Sequence, residues 1–497
     1  MSRFKNMIAA VSAIALSAGT AYAQFRNDAE PAAAEEAGKT DSTVVITLDQ
    51  ALRIALSENV SVKVADMEIK KSEYAKKGTY AALFPQIDIS GAYQRTIKKQ
   101  VMYMDFDMSS LGGGAGAGAG EGAGEGAGEG AADAAGEGSE SPSKSNGGLE
   151  VGRWNTWSAG VSAAMPIVNA QLWTSIKLTA LDVELAVEKA RSSRLDMVTQ
   201  VKNAYFSVLL AKEAFSVYKE VYENAIANFE QIDKKYKAQK ASEMEYLRAK
   251  TNVSNAIPNV YNAESSIILA LWQLKAVMGV DLDMALDVAG SLDDWSQSMF
   301  HDIHSSDSLD LSANTTLRQL DIQVEQLAQN VKLQKMACVP TLSLGFNFSY
   351  NAMTNDFNFK EYQWTPYSYV GLSLNIPVFS GLKRHNNIRQ AKVQHSELQL
   401  QKTDTERQLR IAAKNQLITM ETCMKSYYAA EDAVSTARQS YDIVSRSYEL
   451  GRSTLTDLND AQLAVVQSQL AKSQAVYNFL SAKSQLEQLI GADFIEE

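Results

Sequence analysis

Two short stretches of the chain alternate apolar with small or polar residues without a break. In Thr341 to Tyr350 the apolar positions are Leu342, Leu344, Phe346, Phe348 and Tyr350, and in Tyr369 to Ile376 they are Val370, Leu372, Leu374 and Ile376. A period of two puts successive side chains on opposite sheet faces, so each stretch reads as a strand with one apolar face. Each is roughly 9–11 residues long, which suits a tilted strand crossing a bilayer. Aromatic residues gather at the far end (Tyr350, Phe357, Phe359, Tyr362, Trp364, Tyr367, Tyr369), as a membrane-interface girdle would require. A soluble sandwich hairpin alternates in the same way, but it stands among further short strands. Here the flanking pattern is helical for a long way on both sides.

Taken in order, Thr47 to Leu83 carries Leu48, Leu52, Leu56, Val60, Val64 and Met67 at spacings of three and four, and Pro85 ends this helix. A strand follows with Ile87, Ile89, Gly91 and Tyr93 on one face, then a long insertion, then a returning strand from Trp157 to Met165, closed by Pro166. Heptad-like spacing predicts a helix from Ala170 to Ala238. A break near Gln239 precedes another helix, Glu243 to Met278, in which Pro258 predicts a kink. The plan then recurs: helix 313–338, Pro340, strand, loop, strand, Pro377, helix 382–450, a break at Gly451, helix 455–489. Tyr236 and Tyr448, Ala249 and Ala461, and Gly279 and Gly491 are each 212 positions apart, so the two halves read as structural repeats.

The long helices of about 69 residues would each extend about 100 Å, and the two shorter helices of each half, laid end to end, nearly match that length. Four strands cannot close a barrel, and open edges are not tolerated in lipid. Oligomerisation is therefore expected, giving about 8 strands as a dimer or 12 as a trimer, consistent with closed barrels starting at about eight.

Composition narrows the setting. The net charge of −11, with no basic cluster, argues against a nucleic-acid partner. Arg3 and Lys5, the apolar run Met7 to Leu16 and Ala21-Tyr22-Ala23 predict a signal peptide over 1–23. No apolar run beyond it reaches the length of a spanning helix, and no cysteine follows the cleavage point to carry an acyl anchor. An exported chain of this kind meets a membrane through strands, which points to a Gram-negative outer membrane. Cys338 and Cys423 read as free, buried small residues. The boundaries that follow are a leader at 24–44, a first repeat at 45–284 and an irregular linker at 285–312. A second repeat spans 313–493 and a tail 494–497. The first hairpin occupies 86–166 with a Gly-Ala-Glu loop at 112–148, and the second occupies 340–377.

The duplicated helix–hairpin–helix plan, the run Pro377-Val378-Phe379-Ser380-Gly381, and Tyr448-Glu449-Leu450-Gly451-Arg452-Ser453-Thr454-Leu455-Thr456-Asp457-Leu458-Asn459-Asp460-Ala461 resemble the TolC family of outer-membrane efflux proteins. The resemblance covers about residues 45 to 493. It implies a mixed α/β membrane protein: a homotrimer whose 12-stranded β-barrel, four strands per chain, is continued by a long α-helical barrel. It further implies docking to a periplasmic adaptor (a membrane fusion protein) and an inner-membrane pump, in tripartite efflux or type I secretion. Gly451 would then mark a periplasmic tip that closes the duct, with Asp457 and Asp460 in carboxylate rings, Tyr448 as a gate tyrosine and Arg452 beside it. Such rings favour cations and raise the pKa of their members; alternatively, both aspartates solvate a helix start, where negative charge is favourable. The family's arginine two positions after the glycine is Ser453 here. In the first half, Gln239 stands at the glycine position and Glu245 at that of Asp457. Gly451, Ser453, Thr454, Gln239, Lys240 and Ala241 are the expected adaptor contacts, and Tyr350, Trp364, Tyr367, Tyr369 and Trp157 the expected girdle against outer-membrane lipid.

The remaining signals are weak. The glycine run at 112–138 lacks the Gly-Lys-Ser/Thr of a phosphate loop and reads as a disordered extracellular loop. His301 and His304 lack further ligand spacing, Asp105 and Asp107 decorate a loop end, and no catalytic constellation appears. Neither an enzyme nor a cofactor is expected. An independent porin-like channel remains the alternative, and a soluble adaptor coiled coil leaves the strands unexplained.

Overall fold

The computed structural model describes residues 44–102, 149–296, 310–359 and 361–492. The signal peptide, the leader up to residue 43, His301, His304, Asp105, Asp107 and the whole of the glycine-rich loop at 112–148 lie outside these residues. The chain opens with β1 (Val44–Ile46), α1 (Leu48–Glu58) and α2 (Val60–Ala81). The first hairpin follows as β2 (Gln86–Arg95), β3 (Gln100–Met102), β4 (Leu149–Val151) and β5 (Asn155–Val168). Next come α3 (Ala170–Lys237), α4 (Glu243–Met278), β6 (Leu286–Val288) and α5 (Leu292–Ser296). The second half contains α6 (Thr315–Met336), β7 (Thr341–Thr354), β8 (Thr365–Asn375), α7 (Lys383–Glu449) and α8 (Leu455–Ile490). Helix α4 runs on through Pro258. No described helix is long and apolar enough to cross a membrane.

The helix expected over 47–83 is two helices, because Asn59 adopts extended backbone (φ −63°, ψ 131°). Its side chain does two jobs there. Oδ1 accepts from Ser61 N at 2.7 Å and caps α2, while Nδ2 donates to Val277 O at 2.7 Å, in the last turn of α4. Asn314 does the same in the second half: Oδ1 accepts from Leu317 N at 2.9 Å and Nδ2 donates to Leu489 O at 2.7 Å. Each clasp thus joins the start of a helix leading into a hairpin to the end of a helix returning from the tip. Each returning helix ends on a left-handed glycine, Gly279 (φ 74°) or Gly491 (φ 75°).

Helices α3 and α7, of 68 and 67 residues, span about 100 Å each. α3 packs on α2 and α4 and also on α6 and α8, whereas α7 packs on α6 and α8. The main core lies midway along the rods, where Val201, Tyr205, Phe206, Leu274, Phe479 and Leu480 are buried together. Of the stretch 285–312, expected to be irregular, the described residues 285–296 seal this core. β6 pairs in parallel with β1, and Tyr205 donates its hydroxyl to Ala289 O at 2.6 Å. Trp295 of α5 meets Phe206 edge-on at 5.3 Å. Lys202 and Glu487 form an ion pair of 2.9 Å beside it. Both cysteines are free. Cys423 is buried as expected, but Cys338 is exposed, because it falls in the turn after α6 rather than in a packed helix.

At one end of the rods, β2, β5, β7 and β8 form one antiparallel sheet in the order β2-β5-β7-β8. The described chain leaves the outer edges of β2 and β8 without a partner strand.

Candidate functional site

Two places concentrate the chemistry: the sheet faces and the opposite, helical tip. Register sorts the sheet. Tyr93 faces Trp157, Val161 faces Phe348, Phe346 faces Val370, and Leu344 faces Leu372. With Ile87, Ile89, Tyr350 and Leu374 these residues share one parity, so one face is predominantly apolar. Ile87, Ile89, Val370 and Leu372 are all more than 60 % exposed on the chain, which is the arrangement of a surface meeting lipid. Asp88, Ser90, Ser158, Ser162, Asn347, Ser349 and Ser373 occupy the other face.

The expected girdle divides along this line. Trp157 and Tyr350 stand on the apolar face. Tyr367 and Tyr369 do not: they lie opposite Ser349 and Asn347, on the polar face, with their rings 5.7 Å apart. Closeness in sequence had grouped them with the girdle, but parity decides the face. Trp364 lies in the connection before β8 and is half-buried. The aromatic cluster at the hairpin end is built instead from Tyr93, Trp157, Phe357, Phe359 and Tyr362. Tyr93 and Trp157 are 4.3 Å apart, Trp157 and Phe359 5.2 Å, and Phe359 and Tyr362 4.9 Å. Buried Asn155 pins the second hairpin's loop over the first, accepting from the Tyr93 hydroxyl at 2.9 Å and donating to Asp356 O at 3.2 Å.

At the other end, the two tips close with the same backbone pattern. Gln239 (φ 54°) and Gly451 (φ 74°) are both left-handed. Lys240 N donates to Lys235 O, and Arg452 N to Ser447 O, each at 2.8 Å, so each long helix ends in a six-residue closing bond. A capping box then starts each return helix. Ser242 and Glu245 form one, and Thr454 and Asp457 the other. Asp457 Oδ2 accepts from Thr454 N at 2.8 Å and from Thr454 Oγ1 at 2.7 Å. These bonds hold the Asp457 carboxyl below its ordinary value. Asp457 is thus a capping residue within the chain. Asp460, one turn further, is exposed.

Tyr448 is half-buried in a tip cluster with Ile232, Ala249, Leu455 and Leu458. Burial and then the charge of Glu245 raise its phenol, and Lys235 Nζ lies 5.8 Å from its ring centre. Its polar neighbours come from the first half's tip. Among the described residues no hydrogen bond joins Tyr448 to Arg452, which is exposed together with Thr454, Gln239 and Lys240, while Ser453 and Ala241 are half-buried. Tyr246, which the sequence did not single out, stacks on Tyr236 at 4.9 Å and locks the first tip. Just above, a cavity of about 230 Å³ opens between α3, α4 and α8, and Asn228, Asn252, Asn255, Asn259, Asn459 and Gln462 line it. Each asparagine alone reads as an ordinary exposed helical residue; only packing makes them one wall. No cluster of metal-binding side chains occurs among the described residues.

Known proteins share this plan. The outer membrane protein TolC of Vibrio cholerae is 20% identical over 346 residues, 67% of this chain and 76% of that protein. TolC of Escherichia coli is 19% identical over 343 residues, 68% of this chain and 70% of that protein. The crystal structure of the outer membrane protein VceC from Vibrio cholerae superimposes with a TM-score of 0.65 at 15% identity, covering 90% of this chain and 96% of that one. The sequence pattern of the family described as outer membrane efflux protein matches residues 131–280 and 308–492, more than half of the chain. This chain therefore belongs to the outer membrane efflux protein family.

Proposed function

We propose that three copies of the chain close a 12-stranded barrel in the outer membrane and continue it as an α-helical tube across the periplasm. The tube would be a passive exit duct for a tripartite efflux pump or a type I secretion system. The observation that carries this reading is the four-stranded sheet, with one apolar exposed face and two unpartnered edges. Such edges are untenable in lipid, so each β2 must pair with the β8 of a neighbouring copy. The paired Asn59 and Asn314 clasps and the matched tip closures support an internally duplicated chain, hence a tube of pseudo-sixfold wall. The tip would be the gate: Asp460, and Asp457 through its capping box, would surround the axis, with Tyr448 bracing one hairpin against the other. The amide-lined cavity beside it would receive the periplasmic adaptor, together with Gln239, Lys240, Ala241, Gly451, Ser453 and Thr454. Energy would come from the inner-membrane pump.

The test compares cells with and without the gene for intracellular accumulation of a panel of toxic small molecules and for secreted proteins. Raised accumulation with unchanged secretion identifies a small-molecule exit. A missing secreted polypeptide with unchanged accumulation identifies the secretion arm. No change in either overturns the duct. A second reading, an independent porin-like channel, draws on the polar sheet face and requires a pore that stands open without a partner.

A further inference from the structure

The sequence shows no long basic run, yet the fold gathers cations where the aromatic cluster ends. Arg95 is the last residue of β2, and Lys98 and Lys99 follow in the bend before β3. In the facing break between β4 and β5, Arg153 lies between Asn155, the partner of Arg95, and Val151, the partner of Gln100. Two of the four side chains stand over rings. The Arg95 guanidinium stands 5.7 Å from the centre of Phe357, and Lys99 Nζ 4.8 Å from that of Trp154. Arg153 Nη1 donates to Met353 O at 3.0 Å, which fixes it against β7. Arg95, Lys98 and Arg153 are exposed and Lys99 is half-exposed. Among the described residues no ion pair engages any of the four. Asp356 and Glu361 are the acids of the neighbouring loop, and the Asp356 carboxylate accepts from Asn358 N at 3.4 Å.

Arg95 has the parity of Ile87, Ile89 and Tyr93, so it continues the apolar face rather than the polar one. The order along that face is apolar band, aromatic cluster, cations. In a membrane this sequence of levels runs from hydrocarbon through the interface to the headgroups. Clustered Arg and Lys at headgroup level attract anionic lipid, and guanidinium forks match phosphate geometry. We propose that Arg95, Lys98, Lys99 and Arg153 form a binding surface for phosphate-bearing lipid headgroups of the outer leaflet, with Trp154 and Phe357 as its apolar sides. This rests on the proposed orientation, with the hairpin ends outward and the rods in the periplasm.

The full chain in nonionic detergent is titrated with diphosphorylated lipid A, with the same lipid lacking its phosphates, and with inorganic phosphate, and bound molecules are counted by native mass spectrometry. Wild type is expected to retain the phosphorylated lipid at least tenfold more strongly than the dephosphorylated one. Joint replacement R95Q, K98Q, K99Q and R153Q should abolish that difference. Joint replacement K219Q, K250Q, K414Q and K425Q, equal in charge but on α3, α4 and α7, should preserve it. The pair R95K and R153K, which keeps the charges, should also preserve it and controls for folding. Equal retention of the two lipids by wild type, no loss in the fourfold Gln variant, or inorganic phosphate binding as strongly as the lipid would each overturn the proposal. An epitope tag in the 112–138 loop, probed by antibody on intact cells, reads the orientation separately. A silent tag overturns the choice of the outer leaflet even where the phosphate preference stands.

Discussion

Backbone geometry at the helix ends gives the most direct tests at the scale of single residues. A Cβ at Gly491 would lie 2.2 Å from Ala313 O, whereas one at Gly451 meets nothing within 4 Å. Both residues have positive φ, so alanine at either carries a left-handed penalty of about 1–2 kcal/mol. At Gly491 the clash adds to it. We expect G491A to lower the thermal midpoint of the assembled protein well beyond G451A. Equal shifts would show that the contact between the α8 end and the residues before α6 is slack.

Asp457 gives a pH test with a defined sign. Its folded carboxyl lies below the ordinary carboxylate range because Thr454 donates to the charged form. The capping contribution is therefore complete above the ordinary carboxylate range and is lost as pH falls through the depressed folded value. Hydrogen exchange in the first turn of α8, followed across acidic pH, should show protection lost at a higher pH in T454V than in wild type. Coincident profiles would mean that Thr454 does not hold the carboxylate.

Among the elements, β8 is the informative one, because it is an edge strand with strictly opposed faces. Leu372 is 67 % exposed on the apolar side, and Ser373 faces Ser343 on the polar side. An arginine facing lipid near the bilayer centre costs about 2–4 kcal/mol, whereas one facing a wet interior is tolerated. L372R should sharply reduce the assembled protein recovered from outer membranes, and S373R should leave the yield nearly unchanged. Equal yields would contradict the face assignment. The same register explains why Tyr367 and Tyr369 were misplaced from sequence: nearness to Trp364 and Tyr350 suggested one girdle, but a strand's faces alternate regardless of what its neighbours are.

For the whole molecule, gating is the property to measure. Purified protein in planar bilayers should conduct little, and D460N should raise its conductance severalfold by removing carboxylates from the tip. D457N should do so as well, but with weaker capping of α8. A wild-type pore that is open from the start, and indifferent to both changes, would favour the porin-like reading.

The sequence by itself determined most of the elements. Period-two alternation, spacings of three and four, and Pro85, Pro340 and Pro377 placed four strands and the long helices, because these signals are local and depend only on which side chains share a face. The family was legible in the run from Tyr448 to Ala461 for the same reason. What tertiary structure decided was everything that joins distant parts of the chain. Asn59 broke a helix that looked continuous because its amide is needed at Val277 O, 218 positions away. The linker became β6 and α5 because the core around Tyr205 and Phe206 required a cover. Asp457 was committed to a capping box with Thr454, Lys235 rather than Arg452 came to Tyr448, and Arg153 joined Arg95 across a hairpin. None of these leaves a local period in the sequence, since each arises from hydrogen-bond satisfaction or charge proximity between segments that only packing brings together.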